Sequence, residues 1–136
     1  MDRALTDLLA EFKPELVLAS VLSPEALLCY HLFGVVKQHH PALPTLIGGK
    51  HCYADPEGAI ANRNVDMICV GDGETPLTRL LERMSAGQPP HDIPGLWVKQ
   101  PDGRVVRNDP VDYCTDLDAL PYLDYDEYDE RQLYRV

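Results

Sequence analysis

The sequence predicts an α/β fold: a three-layer, Rossmann-like or flavodoxin-like parallel sheet, incomplete, followed by a β-hairpin and an irregular acidic tail. Three observations predict it. Apolar runs of strand length alternate with runs of helical period. Each apolar run ends in small residues or glycines that lead into a helix start. After Pro89-Pro90 the pattern changes to two short β-rich segments around Pro101-Asp102-Gly103.

Taken in order, Leu5, Leu8, Leu9 and Phe12 recur at helical spacing and Lys13-Pro14 ends that helix. Leu16 to Leu22 is an unbroken apolar run, the pattern of a strand covered on both faces. Ser23-Pro24 supplies an N-cap and a proline at the first helical position, and the helix runs to about His40, where Pro41 stops it. Pro44 to Gly49 is a second strand ending in paired glycines, and a short helix near Pro56 to Arg63 leads on. Val65 to Val70 is the third strand and ends at Gly71-Asp72-Gly73-Glu74. Thr75-Pro76 opens a helix with Leu77, Leu80, Leu81 and Met84 on one face, closed by Gly87. Strand, helix, strand, helix, strand, helix reads as a right-handed parallel sheet. Gly95 to Lys99 and Arg104 to Arg107 form the hairpin, and the tyrosines beyond it are expected to lie against the body.

Composition narrows the function. Apolar residues make 45% of the 136 and charged residues 25%, ordinary values for a soluble globular protein. The net charge of −10 opposes binding to nucleic acid or an anionic membrane surface, both of which need clustered Lys and Arg. Eight acidic and two basic residues lie between Asp112 and Val136, so the tail holds most of the excess and reads as solvated. Cys29, Cys52, Cys69 and Cys114 have no metal-ligand spacing, which suits reduced thiols in a cytoplasmic protein. No signal core or run of membrane-spanning length occurs.

In an open parallel sheet, ligands bind outside the carboxyl ends of the strands. Here those ends carry Ser20-Val21-Leu22-Ser23, then Gly48-Gly49 with His51 just beyond, then Gly71-Asp72-Gly73-Glu74-Thr75. Hydroxyls, bare backbone and free amides at a helix start are the groups that hold an oxygen-rich ligand. Any one of these turns alone would serve a plain strand-to-helix connection; three in register make one cleft. No nucleophile has an activating base in its motif, so no catalytic residue is assigned. His39 and His40 are adjacent at a helix end and diverge, so no metal ligand is assigned either. The G-x-G-x-x-G fingerprint of a dinucleotide site fails at Pro76.

Ser20-Val21-Leu22, followed after 25 intervening residues by Gly48-Gly49, resembles the S-x-L and G-G parts of the cobalamin-binding motif of methionine synthase and the mutases. Gly48-Gly49-Lys50-His51, Gly71 to Glu74, Asp92 to Leu96 and Asp116 to Pro121 resemble more specifically the cobalamin-binding domain of B12-dependent radical SAM enzymes and its connector. In that family the serine and paired glycines line the slot for the nucleotide tail of the cofactor. The D-x-H-x-x-G part is absent: only 19 residues precede Ser20 and the first histidine is His31. The C-x-x-x-C-x-x-C loop of the radical SAM barrel is absent too.

The resemblance therefore implies the latter part of a binding domain over residues 1–90, a hairpin over 91–110, and a linker over 111–136 leading toward a missing barrel. It implies cobalamin as the ligand, held by Ser20, Val21, Leu22, Ser23, Gly48, Gly49, His51, Gly71, Gly73, Glu74 and Thr75. S-adenosylmethionine and a [4Fe-4S] cluster would belong to the parent enzyme, a methyltransferase or cyclase. The fragment alone would be inert. The alternative is a non-catalytic α/β module that has lost its ligand and forms a homodimer through the bare edge of the strand at Leu16 to Leu22.

Overall fold

The computed structural model describes residues 1–111 and 116–122. Helix α1 (Asp2–Phe12) ends where Lys13 takes a left-handed conformation, φ 50°, and donates its N–H to Leu9 O at 3.0 Å before Pro14 forbids another turn. Strand β1 (Val17–Ser20) leads through a 3₁₀ turn (Ser23–Glu25) into α2 (Ala26–His39). Strand β2 (Thr45–Gly48) is followed by two short helices, α3 (Lys50–Ala54) and α4 (Pro56–Ala61), where the sequence predicts one. Asp55 separates them because its carboxylate caps α4, accepting from Gly58 N–H at 2.9 Å, with Pro56 at the first helical position. Strand β3 (Met67–Cys69), helix α5 (Glu74–Ser85) and strands β4 (Leu96–Lys99) and β5 (Val105–Arg107) follow.

The sheet order is β1-β2-β3-β4-β5. The first three strands are parallel, with Ser20 beside Gly48 and Leu46 beside Met67. The hairpin does not stand apart. Strand β4 pairs antiparallel with β3, Ile68 opposite Trp97, and so extends the sheet. Arg107 holds it to α4 through a two-point contact with Glu57, at 3.0 and 2.8 Å, and lies over the Trp97 ring. Along the tail, Tyr122 is fully exposed and does not pack on the body; Tyr113, Tyr125 and Tyr128 lie outside the described residues.

The two faces of the sheet are unequally covered. On one, Ile47, Ile68 and Val70 pack against Ala26, Cys29 and Phe33 of α2, Cys52 of α3, and Ala59 and Ile60 of α4. On the other, Leu46, Met67, Cys69, Leu96 and Val98 meet Leu80 of α5 and Ile93. Each large side chain buried this way contributes about 1.5–3 kcal/mol. Leu81 falls off that face and is 47% exposed, whereas Leu77 and Met84 stay on it. Because α5 stands over β3 and β4, nothing among the described residues covers the same face of β1. Leu18 is 48% exposed there, so the expectation that β1 is buried on both faces is not met.

At the amino end of the sheet a polar network joins the strands. Asp66 Oδ2 accepts from Lys37 Nζ at 2.5 Å and from Thr45 N–H at 2.8 Å, and the Thr45 hydroxyl lies 3.0 Å away. Nearby, Lys99 Nζ donates to the carbonyls of Asn62 and Val65. Burial lowers the Lys99 pKa and the Asp66 charge opposes that shift. Asp66→Ala should therefore lower stability by about 2–4 kcal/mol in urea unfolding, because the half-buried Lys37 ammonium loses its carboxylate partner, keeping only backbone carbonyls, and a strand amide loses its acceptor. Asp66→Asn, which keeps an acceptor, should cost less than half as much. Equal losses for the two variants would reject this account. Among the described residues no helix is long and apolar enough to cross a membrane.

Candidate functional site

A cleft of about 800 Å³ opens at the carboxyl end of the parallel strands. Strand alternation explains its floor. Leu18 and Ser20 of β1, Leu46 and Gly48 of β2, and Cys69 of β3 are two residues apart or directly in register, so they share the face that α5 leaves open. Leu96 of β4 and Leu77 of α5 close the far side. Above the floor stand three walls: Ser20–Leu22 after β1, Gly48–Lys50 with Tyr53 after β2, and Gly71–Glu74 after β3.

The first two walls are sewn together by backbone. Val21 N–H donates to Gly48 O and His51 N–H donates to Val21 O, each at 3.0 Å. This crossing is tight at Gly49, where φ is +86°: a Cβ there would lie 2.6 Å from Val21 N and 2.9 Å from Ser20 Oγ. Gly48 differs. A Cβ on it would meet only Cys69 Cβ, at an ordinary 3.6 Å, and would extend into the cleft. One glycine serves the fold and its neighbour keeps the cleft clear.

Of the eleven residues expected to bind, eight line this cleft: Ser20, Val21, Leu22, Gly48, Gly49, Gly71, Gly73 and Glu74. Three do not. His51 turns away from it, 9% exposed, with Nε2 2.8 Å from the Tyr30 hydroxyl and Nδ1 3.2 Å from Ser23 Oγ. That contact also takes Ser23 out of the cleft, and Thr75 sits exposed on the first turn of α5. Sequence reasoning missed Leu18, Ala19, Leu46, Lys50, Tyr53, Cys69, Leu77 and Leu96, and it placed Asp72 at a strand end without assigning it to the ligand. Leu18 and Leu46 were within reach, each lying two residues before a named one on the same strand face. Leu77 and Leu96 come from elements whose packing no local pattern reveals.

Charge in the cleft comes from Lys50 on the second wall and Asp72 and Glu74 on the third. Cys69 lies on the floor, its thiol pushed up to about 11 by burial and then by the Glu74 and Asp72 charges. Cys52 lies outside the cleft and donates to Ile47 O at 3.3 Å; burial pushes its thiol up to about 12. Both thiols should be poor nucleophiles at pH 8. In a Cys114→Ser background, alkylation of the native protein should run ~100-fold slower than that of a free cysteine and recover fully in denaturant. A native rate matching a free thiol, mapped to Cys69 by peptide mass spectrometry, would show the cleft floor to be open. Since the thiols ionise later folded than unfolded, their stabilisation is complete below pH 9 and is lost as pH rises from 9 toward 11 and 12.

No protein-family model matches the chain. Among curated proteins it is similar to cytidylyl-2-hydroxyethylphosphonate methyltransferase of Streptomyces wedmorensis, 26% identical over 105 residues, which is 76% of this chain and 20% of that protein. Among solved structures it matches the radical S-adenosylmethionine methyltransferase TsrM of Kitasatospora setae, solved with tryptophan substrate and a S-adenosylmethionine analogue bound. The TM-score is 0.70 at 22% identity, covering 82% of this chain and 22% of TsrM. It also matches the cobalamin-dependent S-adenosylmethionine radical enzyme OxsB, solved with aqua-cobalamin and S-adenosylmethionine bound, at TM-score 0.70 and 16% identity over 83% of this chain and 16% of OxsB. A second TsrM structure, with cobalamin and a [4Fe-4S] cluster bound, matches at TM-score 0.70 and 23% identity. The chain thus resembles part of the Streptomyces wedmorensis methyltransferase in sequence and has the fold of part of TsrM and OxsB, spanning between 16% and 22% of their lengths.

Proposed function

We propose that this chain is a cobalamin-binding module of a radical S-adenosylmethionine enzyme of methyltransferase or cyclase type, holding the corrin at the carboxyl edge of the sheet. The observation that carries the reading is convergence: the Ser20-Val21-Leu22 and Gly48-Gly49 segments, picked out by motif, meet Gly71–Glu74 around one cleft. The cleft also suits the ligand physically. Leu18, Leu22 and Tyr53 are 48%, 54% and 64% exposed around it, an apolar rim that a large flat macrocycle would cover. Gly48 leaves the β2 wall without a side chain, so a ligand can lie against backbone, and the exposed Ser20 supplies a hydroxyl beside it.

On this reading Ser20, Val21, Leu22, Gly48 and Gly49 hold the nucleotide end of the cofactor, while Gly71, Gly73 and Glu74 border the corrin. When bound, cobalamin supplies a cobalt centre for group transfer. The chain's own part is to bind, orient and shield one face of that group. S-adenosylmethionine and the iron–sulfur cluster would on this reading be held by a radical SAM barrel, and the described residues would contribute the corrinoid site. Titration with hydroxocobalamin should shift the visible spectrum and carry the corrinoid with the protein on gel filtration. Neither shift nor co-elution would reject the reading.

A second reading is favoured by a separate observation. Among the described residues strand β1 is the edge of the sheet, and its Leu18 is 48% exposed. An unpaired apolar edge is a surface for joining two copies, as a module without ligand would use it. Sedimentation equilibrium separates the two: a corrinoid-binding monomer supports the first reading, and a dimer indifferent to hydroxocobalamin supports the second.

A further inference from the structure

We infer that Tyr30, His51 and Ser23 form a positioning network that fixes the first two walls of the cleft against each other. For its effect on ligand affinity, this rests on the binding reading above. The His51 ring is buried with both nitrogens engaged: Nε2 by the Tyr30 hydroxyl of α2 at 2.8 Å, Nδ1 by Ser23 Oγ of the segment after β1 at 3.2 Å. The Tyr30 and His51 rings meet edge to face, 6.0 Å between centroids. The His51 backbone completes the triangle by donating to Val21 O. One residue therefore joins α2, the loop after β1 and the turn after β2.

The chemistry of the partners makes this joint firm. A neutral imidazole has one donor and one acceptor nitrogen, and a hydroxyl can play either part. Both contacts therefore persist in either tautomer, and in the imidazolium both hydroxyls accept. A buried filler needs no such arrangement, since an apolar side chain would pack the same space without two polar atoms to satisfy. The anchor itself is held, because Asn64 Nδ2 donates to Tyr30 O at 3.2 Å. Among the described residues the third wall has a lighter tie, Cys69 Sγ donating to Asp72 O at 3.9 Å, and a Cβ on Gly71 or Gly73 would meet no described atom within 4 Å. Among the described residues the cleft thus has two walls fixed to each other and a third held more loosely.

Tyr30→Phe tests this, since it removes one hydroxyl and keeps the ring. Amide exchange of Val21 and His51 should accelerate about tenfold, while Ile47 and Ile68 in the sheet keep their protection. Affinity for hydroxocobalamin should fall about fivefold to tenfold. Ile60→Val, which trims the same core away from the network, should move neither local exchange nor affinity. Ser23→Ala should reproduce the local exchange effect and takes over the test if Tyr30→Phe does not fold. Uniform acceleration across the sheet in Tyr30→Phe, with no excess at Val21 and His51, would overturn the network. So would local acceleration with unchanged affinity. If the unaltered chain binds no hydroxocobalamin, the proposed function fails and the exchange measurement alone decides the network.

Discussion

Gly49→Ala should leave little folded protein, with a loss of about 3–5 kcal/mol. Two independent costs combine. The backbone at Gly49 has φ +86° and ψ −171°, a region that residues with a Cβ essentially never occupy. An added Cβ would also lie 2.6 Å from Val21 N, against backbone that cannot swing aside. Moving Val21 would break its N–H bond to Gly48 O and the His51 N–H bond to Val21 O, so strain cannot be relieved without opening the sheet edge. Against a typical domain stability of about 5–15 kcal/mol, the loss is a large fraction. Urea unfolding followed by circular dichroism checks it. A midpoint within error of the parent would mean that the crossing of β1 and the β2–α3 turn is not as tight as described.

The sequence treats Gly48-Gly49 as one feature, and only the structure separates their duties. A glycine pair signals that side chains are unwelcome without saying which neighbour excludes them. That neighbour is Val21, 28 residues earlier in the chain and brought near by strand pairing. Local features were legible for the same reason that they are local. The ends of α1 at Lys13-Pro14, the apolar strand runs and the hairpin turn each depend on residues a few positions apart. The docking of the hairpin on β3 does not, and neither does the bare face of β1. An unbroken apolar run such as Leu16 to Leu22 shows that a strand is apolar on both sides, yet which helices cover it is decided elsewhere. His51 illustrates the opposite hazard. A histidine two residues past paired glycines reads as a ligand contact, but the first turn of α3 carries it round toward Tyr30.

Gly48→Leu should do the reverse of Gly49→Ala: fold with near-normal stability and bind no corrinoid. A Cβ at Gly48 finds ordinary contact with Cys69 Cβ at 3.6 Å, and the remaining carbons would extend over Leu18 and Leu46 into the cleft. Replacing a glycine inside a strand recovers about 0.5–1 kcal/mol of backbone entropy, which offsets any crowding at Cys69. The stability change should therefore stay within about 1 kcal/mol. Binding is another matter. The floor at Gly48 is where a ligand would lie against bare backbone, and a branched side chain there excludes it by its own bulk. Hydroxocobalamin affinity should drop at least ~100-fold, about 2.7 kcal/mol, with Gly48→Ala intermediate. Paired urea and visible titrations on the same samples read both quantities. Full affinity in Gly48→Leu would show that the ligand does not rest on β2, and the cleft floor would have to be sought between β3 and α5.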